Sequence, residues 1–413
     1  MRTIFTAAAG LTVCLVAGCG SSSGGGASPA DSGAADTTPS GEASIDAPGD
    51  VATETPSDGA SKFPAFPDSR PQISKPADGK VIASPVFLGV YFGTDADQPT
   101  LDAMVSKFAS SKYWSTLSEY GVGAATVSTS IAVTEAAPTA VTDNEIDTWL
   151  KGKLDGTHAE FGGVDATTLA SKILVLFYPS TTTISAFGGK LCVGIGSYHA
   201  AATLASGAVA QYLVIPRCSG APLDVSTSLT AMMVSAPTDP IGAVSGWRIW
   251  NDGQYARELD APEVGTACQF LKPVTPPDLG FPITRIWSNA ASVAFHDPCV
   301  PAPEGPYFTS VPVQKDDISF AAGSKIKGIK LAADGTADVE VHLSSDGPTT
   351  GPWTVKATSL SGPLTFTFDS SSGKNGDVLH LHIVNSGTAG SPFFLLSELG
   401  GRQTMELAIA SPK

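Results

Sequence analysis

Few residues in this chain are of types that do chemistry, and most of them stand apart. There are six histidines. His380 and His382 lie two apart in an alternating apolar run, which puts both on one face of a strand, and His342 sits in a second such run. Imidazoles at that spacing can share a metal ion, but the usual outcome is a solvated sheet face, so no metal and no cofactor is assigned. Asp346, Asp369 and Asp377 fall in or near turns without the dense Asp/Asn/Gly spacing of calcium loops. His158 reads as an exposed loop residue. His296, in His296-Asp297-Pro298-Cys299, reads as a turn residue. No G-x-S-x-G stands between a strand and a helix, as a serine hydrolase would need.

The best helix signal in the chain also lacks chemistry. Over 224–240, DVSTSLTAMMVSAPTDP, Leu229, Met232, Met233 and Ala236 recur at helical spacing. Asp224, Ser226 or Thr227 can cap it. Pro237 should end it, because proline donates no N–H and disfavours helix in the residue before it. Between Ser226 and Ala236 there is no His, Asp or Glu.

The chain has 413 residues, enough for two domains and a tail, and 42% of them are apolar, so a sizeable core can form. The net charge of −15 argues against nucleic acid and against an electrostatic grip on anionic lipid. No later stretch is apolar for long enough to suggest a membrane-spanning helix. Residues 1–18 have the layout of a secretory signal: Arg2, then an apolar run. Its end, Leu15-Val16-Ala17-Gly18-Cys19, resembles the lipobox of bacterial lipoproteins. That resemblance implies lipidation at Cys19, with Gly20 rather than aspartate favouring the outer membrane. Residues 19–61 read as a disordered acidic tether of Ser, Gly and Pro, since they cannot bury enough apolar surface to offset chain entropy.

Residues 80–305 alternate strand and helix signals, as in a layered α/β domain. Val86–Phe92, Lys172–Pro179 and Gln211–Pro216 are continuous apolar runs, suited to strands buried on both faces. Leu101, Met104, Val105, Phe108 and Leu117 suggest one helix closed by Gly121, and 125–133 a further strand. Thr142-Asp143-Asn144-Glu145 is a capping box. Cys192, Cys218, Cys268 and Cys299 should form two disulfides. Of three connectivities, Cys192 with Cys218 and Cys268 with Cys299 is favoured, because each pair brackets one local unit. No pair has the short CxxC spacing of a zinc site. Residues 307–413 turn to period two, in runs around Val339, Trp353, Leu364, Leu379 and Leu407, and read as a β-sandwich of immunoglobulin-like type.

Several landmarks between 85 and 300 resemble, in order, the EXORDIUM-like, phosphate-induced family of cell-wall proteins. They are the strand KILVLFYPS, Cys192 through Ser197-Tyr198-His199-Ala200, the strand QYLVIPRC, Thr238-Asp239-Pro240 followed by Trp247 or Trp250, and Glu263-Val264-Gly265-Thr266-Ala267-Cys268. The resemblance implies a zincin-like α/β fold with a His-Glu-x-x-Glu helix, whose ligands one turn apart could grip zinc while a glutamate acts as base. Here Ala231, Met232 and Ser235 occupy those positions, and Thr266 replaces a later acid. His199, Glu263 and Asp239 remain as candidates for a residual pocket. The expected protein is a lipid-anchored, exported lipoprotein of the cell envelope, non-catalytic, binding extracellular carbohydrate, matrix or another protein. The alternative is a metal-dependent, protease-like hydrolase whose atypical site uses His199 and Glu263.

Overall fold

The computed structural model of the chain describes residues 3–6, 72–164, 168–193, 195–218, 224–240, 246–248, 263–314, 327–360, 362–387 and 390–411. Cys19, the acidic segment after it and Trp250 lie outside these residues. The described residues belong to one compact unit. Its fold is mixed α/β, with more strand than helix.

The largest sheet carries Val86–Phe92, Lys172–Tyr178 and Val209–Pro216 as parallel neighbours. Their apolar runs are unbroken because both faces are covered. Phe87, Tyr91, Val175, Phe177, Leu213 and Ile215 point into one core. Leu88, Val90, Leu174, Leu176, Tyr212 and Val214 point into the other. Ile195–Thr203 pairs antiparallel with Val209–Pro216, setting His199 opposite Leu213. The backbone of Thr3–Thr6 pairs along the far edge of that strand. Helices α1 (Gln98–Ala109) and α3 (Val225–Thr238) contribute to the first core, and α2 (Asp143–Lys153) to the second.

Local signals hold where side chains close their own hydrogen bonds. Thr142 Oγ1 accepts from Glu145 N at 3.2 Å, and Glu145 Oε2 accepts from Thr142 N at 2.7 Å, the two halves of the capping box. The helix expected over 101–117 is instead two pieces. α1 ends at Ala109, where the Ser110 and Ser111 hydroxyls bond back to the carbonyls of Ser106 and Phe108. A 3-10 turn, Trp114–Tyr120, then swings the Trp114 ring edge-on to Phe87 and Phe108. Gly121 closes that turn at φ +82°. The strand expected over 125–133 is only Thr126–Val127 and Ile131–Val133, with Ser130 between them bonded to Asp102 Oδ2 at 2.7 Å.

The C-terminal part has two sheets. Phe308–Val313, Thr336–Ser345, Val378–Asn385 and Leu364–Phe368 form one of four strands, in that order. Lys327–Lys330, Arg402–Ser411, Ser391–Leu399, Trp353–Ser359 and Ser372–Gly373 form one of five. Val339, Val341, Leu381 and Ile383 meet Trp353, Phe393, Leu395 and Ala408 in a shared core. Ser391–Leu399 lacks alternation for a physical reason. Phe393 and Leu395 face that shared core, whereas Phe394 faces the α/β layer, joined there by Met405, Leu407 and Ile409. Phe270 stacks on Phe394 at 4.7 Å. Buried Arg285 donates to Cys299 O and Gln403 O, each at 2.8 Å, and pairs with Asp297.

The disulfides join Cys192 to Cys218 and Cys268 to Cys299, with Cα atoms 5.3 and 5.8 Å apart. Each closes a local loop and should contribute about 2–4 kcal/mol by restricting the unfolded chain.

Candidate functional site

The site is built at the end of α3. Asp224 caps the helix, its Oδ1 accepting from Ser226 N at 2.9 Å and Thr227 N at 3.0 Å. Every residue from Ser226 to Thr238 is buried, so α3 is a core helix without a wet face. It runs one residue past Pro237, beyond where the proline was expected to stop it. Asp239 N still donates to Ser235 O at 2.8 Å, and Thr238 Oγ1 to Val234 O at 2.8 Å, so the last turn is held despite the missing N–H. Pro237 O accepts from Ile82 N at 2.9 Å.

Asp239 leaves this turn into a closed polar cluster. Arg248 Nε donates to Asp239 Oδ2 at 2.7 Å, and Arg248 Nη2 donates to Glu263 Oε1 at 3.0 Å. His199 Nε2 lies 2.9 Å from Glu263 Oε2. All four side chains are at most 1% exposed. The structure therefore brings together the three residues singled out in the sequence, His199, Glu263 and Asp239, and adds a fourth, Arg248. The arginine is placed by backbone: Arg248 N and O pair with Ser74 O and N at 2.9 and 3.0 Å, and Trp247 N donates to Thr238 O at 3.0 Å. Trp247 also packs edge-on to Tyr120. Thr266 Oγ1 accepts from Glu263 N at 3.0 Å and shapes the turn that aims Glu263 inward.

The electrostatics follow from burial and from the single guanidinium. Burial first, then the neighbouring charge of Glu263, push the Asp239 carboxyl up to about 6, and Arg248 offsets this only in part. Burial would raise Glu263 too. The His199 ring and Arg248 outweigh it and hold Glu263 at about 2. The two carboxylates also share a hydrogen bond. Of the pair, Asp239 is the readier to take up a proton and Glu263 the readier to keep its charge.

A metal does not fit these residues. Ala231 and Met232 carry no ligand atom suited to zinc, and the chain of Gly265 lies directly on the helix beside Ala231 and Ser235. A Cβ at Gly265 would come within 2.2 Å of Ala231 O and 2.6 Å of Ser235 Oγ. Longer side chains at 231 and 235 would have to displace that backbone. Asp239 Oδ2 and Glu263 Oε1 are turned to Arg248, a permanent cation, and Glu263 Oε2 to His199. Met232 is fully buried in the apolar core. Met232→Glu should therefore destabilise the protein by roughly 1–3 kcal/mol through lost packing and a buried acid. Urea unfolding at neutral pH checks this, and a midpoint equal to the parent's would rule out a dry, packed helix face.

Arg248 was missed because nothing local marks it. Its one sequence signal is being a basic residue inside the apolar stretch Ser245-Gly246-Trp247-Arg248-Ile249-Trp250, where burial would oblige it to find carboxylates. The remaining histidines lie elsewhere. His158 pairs with Glu160 at 3.4 Å, and His296 stands 3.5 Å from Asp346 on the surface. His342, His380 and His382 share the outer face of the four-stranded sheet.

Neither a family model nor a curated protein matches the chain. Similar solved structures include a conjugative transposon lipoprotein from Bacteroides eggerthii DSM 20697, 13% identical over 25% of this chain and 95% of that one, with a TM-score of 0.19. Domains 4 and 5 of the S-layer protein SbsC are 14% identical over 25% of this chain and 53% of that one, with a TM-score of 0.17. Metalloproteinase-II from Bacteroides fragilis is 13% identical over 40% of this chain and 47% of that one, with a TM-score of 0.22. Likenesses at these TM-scores carry no argument about fold or function.

Proposed function

We propose that this is a lipid-anchored envelope protein whose α/β layer derives from a metallohydrolase-like, EXORDIUM-like fold and no longer catalyses. One observation carries the reading: Arg248 lies between Asp239 and Glu263, supplying from within the chain the positive charge that a metal would otherwise bring. The closed cluster has no exposed member to offer a substrate. In this reading 1–18 is a lipoprotein signal, 19–61 a tether, 80–305 the EXORDIUM-like domain and 307–413 an immunoglobulin-like sandwich. The lipobox before Cys19 supports an outer-membrane anchor, and two disulfides suit an exported protein. The work left to such a protein is binding, with extracellular carbohydrate, matrix or another protein as partner.

Cys19→Ala tests the anchor. The variant should leave the membrane fraction and become soluble, because several acyl chains hold firmly where one or none does not. Pelleting with membranes after a salt wash would refute the lipobox reading. The hydrolase reading is favoured by the His199–Glu263 contact at 2.9 Å, a pair able to move a proton. Casein hydrolysis that survives repurification and disappears in His199→Gln would establish it in place of the non-catalytic one.

A further inference from the structure

Three of the six histidines stand on one exposed sheet face, and each has a carboxylate on one ring nitrogen. His342 Nε2 is 2.7 Å from Glu340 Oε2, His380 Nδ1 is 3.0 Å from Asp369 Oδ2, and His382 Nδ1 is 2.7 Å from Asp338 Oδ1. The register of Thr336–Ser345 against Val378–Asn385 places Glu340 directly opposite His380, and His342 opposite Val378. Side chains opposite each other across antiparallel strands have Cβ atoms about 5 Å apart, and those two apart on one strand share a face. Glu340 is thus the common neighbour of both rings. The His342 hydrogen bond, with the nearby charges of His342 and His380, holds its carboxyl below the usual range.

We propose that His342, Glu340 and His380 form a site for a divalent transition metal of the zinc class, with Asp369 positioning His380. The donor set is two imidazoles and one carboxylate, which suits zinc and leaves a coordination position toward solvent. Asp369 already accepts from His380 Nδ1 and from His380 N at 2.9 Å, which fixes the ring and leaves Nε2 as the ligand. A carboxylate behind a histidine is the usual support of a metal-binding ring. On binding, the ion takes the place of the proton between His342 and Glu340; in a neutral ring that proton moves to Nδ1, and from a ring protonated on both nitrogens it goes to solvent. Among the described residues no three histidine, cysteine or carboxylate side chains already close on one point. Glu340 and His380 are exposed and His342 is half-buried, so closing these three calls for rotation about side-chain bonds.

The test is calorimetric titration of the full chain with Zn²⁺ at neutral pH, repeated at pH 5.5, with melting curves without metal as the control for folding. One equivalent should bind, and more weakly at pH 5.5, because protons compete with a metal ion for its ligands. His342→Ala and His380→Ala should each weaken binding at least tenfold. Asp369→Asn should weaken it by about tenfold. His158→Ala and His296→Ala should bind as the parent does. Val378→His adds an imidazole opposite His342 and two residues from His380, and should tighten binding at least tenfold. The proposal fails if the full chain takes up no Zn²⁺. It also fails if both His342→Ala and His380→Ala bind as the parent does, or if Val378→His leaves the affinity unchanged.

Discussion

Arg248→Ala should lower stability by about 3–5 kcal/mol, the usual cost of removing one partner from a buried ion pair. Arg248 is the one guanidinium of the described cluster, and His199 reaches Glu263 only through Oε2. Asp239 and Glu263 would remain at 0% exposure with a shared proton and the His199 ring as their compensation. Arg248→Lys should recover little. Lysine is a point charge, whereas the guanidinium reaches Asp239 through Nε and Glu263 through Nη2 at the same time. Urea midpoints for the three proteins decide the matter. An alanine variant within about 1 kcal/mol of the parent would mean that the cluster is not a charge lock, and the reading of Arg248 as a built-in cation would be withdrawn.

Asp239→Asn and Glu263→Gln should differ sharply, although each replaces one carboxylate by an amide. Glu263 keeps its charge down to about pH 2 because His199 and Arg248 need it. Glutamine there should cost about 3–5 kcal/mol at neutral pH. Asp239, pushed up to about 6, is held as the protonated partner over much of the acidic range. Asparagine imitates that form, accepting from Arg248 and donating to Glu263, and should leave stability at pH 7 unchanged or improved. The pH dependence separates the two residues further. A raised folded pKa stabilises at low pH, and Asp239 gives up that contribution as the pH climbs from about 4 to about 6. A lowered folded pKa stabilises above the ordinary value of 4.5, and Glu263 gives up that contribution only as the pH falls toward 2. Of these two residues, Asp239 is the one whose contribution changes between pH 4.5 and 6.5. The parent should lose up to about 2–3 kcal/mol there relative to Asp239→Asn. Parallel curves for parent and Asp239→Asn across that window would show that Asp239 carries no raised pKa.

Much of the frame was legible because it is local. The Thr142–Glu145 capping box closes within four residues, and the Asp224 cap within three. The strands at 86, 172 and 209 announce themselves as apolar runs, since parallel strands under helices are dry on both sides. Alternation located Thr336–Ser345 and Val378–Asn385, whose outer faces meet water. What alternation could not find was Ser391–Leu399, buried by one core through Phe393 and by another through Phe394. Nor could helical spacing foresee the break after Ala109, where serine hydroxyls compete for the carbonyls and Trp114 turns inward.

The site divides along the same line. The sequence alone determined that α3 carries no ligand at Ala231 or Met232, since a missing functional group cannot be restored by folding. It also named His199, Asp239 and Glu263 as what was left. Only the tertiary structure decided that these three meet, and that Arg248 meets them. The four residues span 65 positions of chain, from His199 on a strand paired along both sides to Glu263 in a turn, and no spacing rule links them. They are joined by a long-range demand: carboxylates taken out of water need a cation and hydrogen bonds within reach. The chain meets it by folding one arginine back between them.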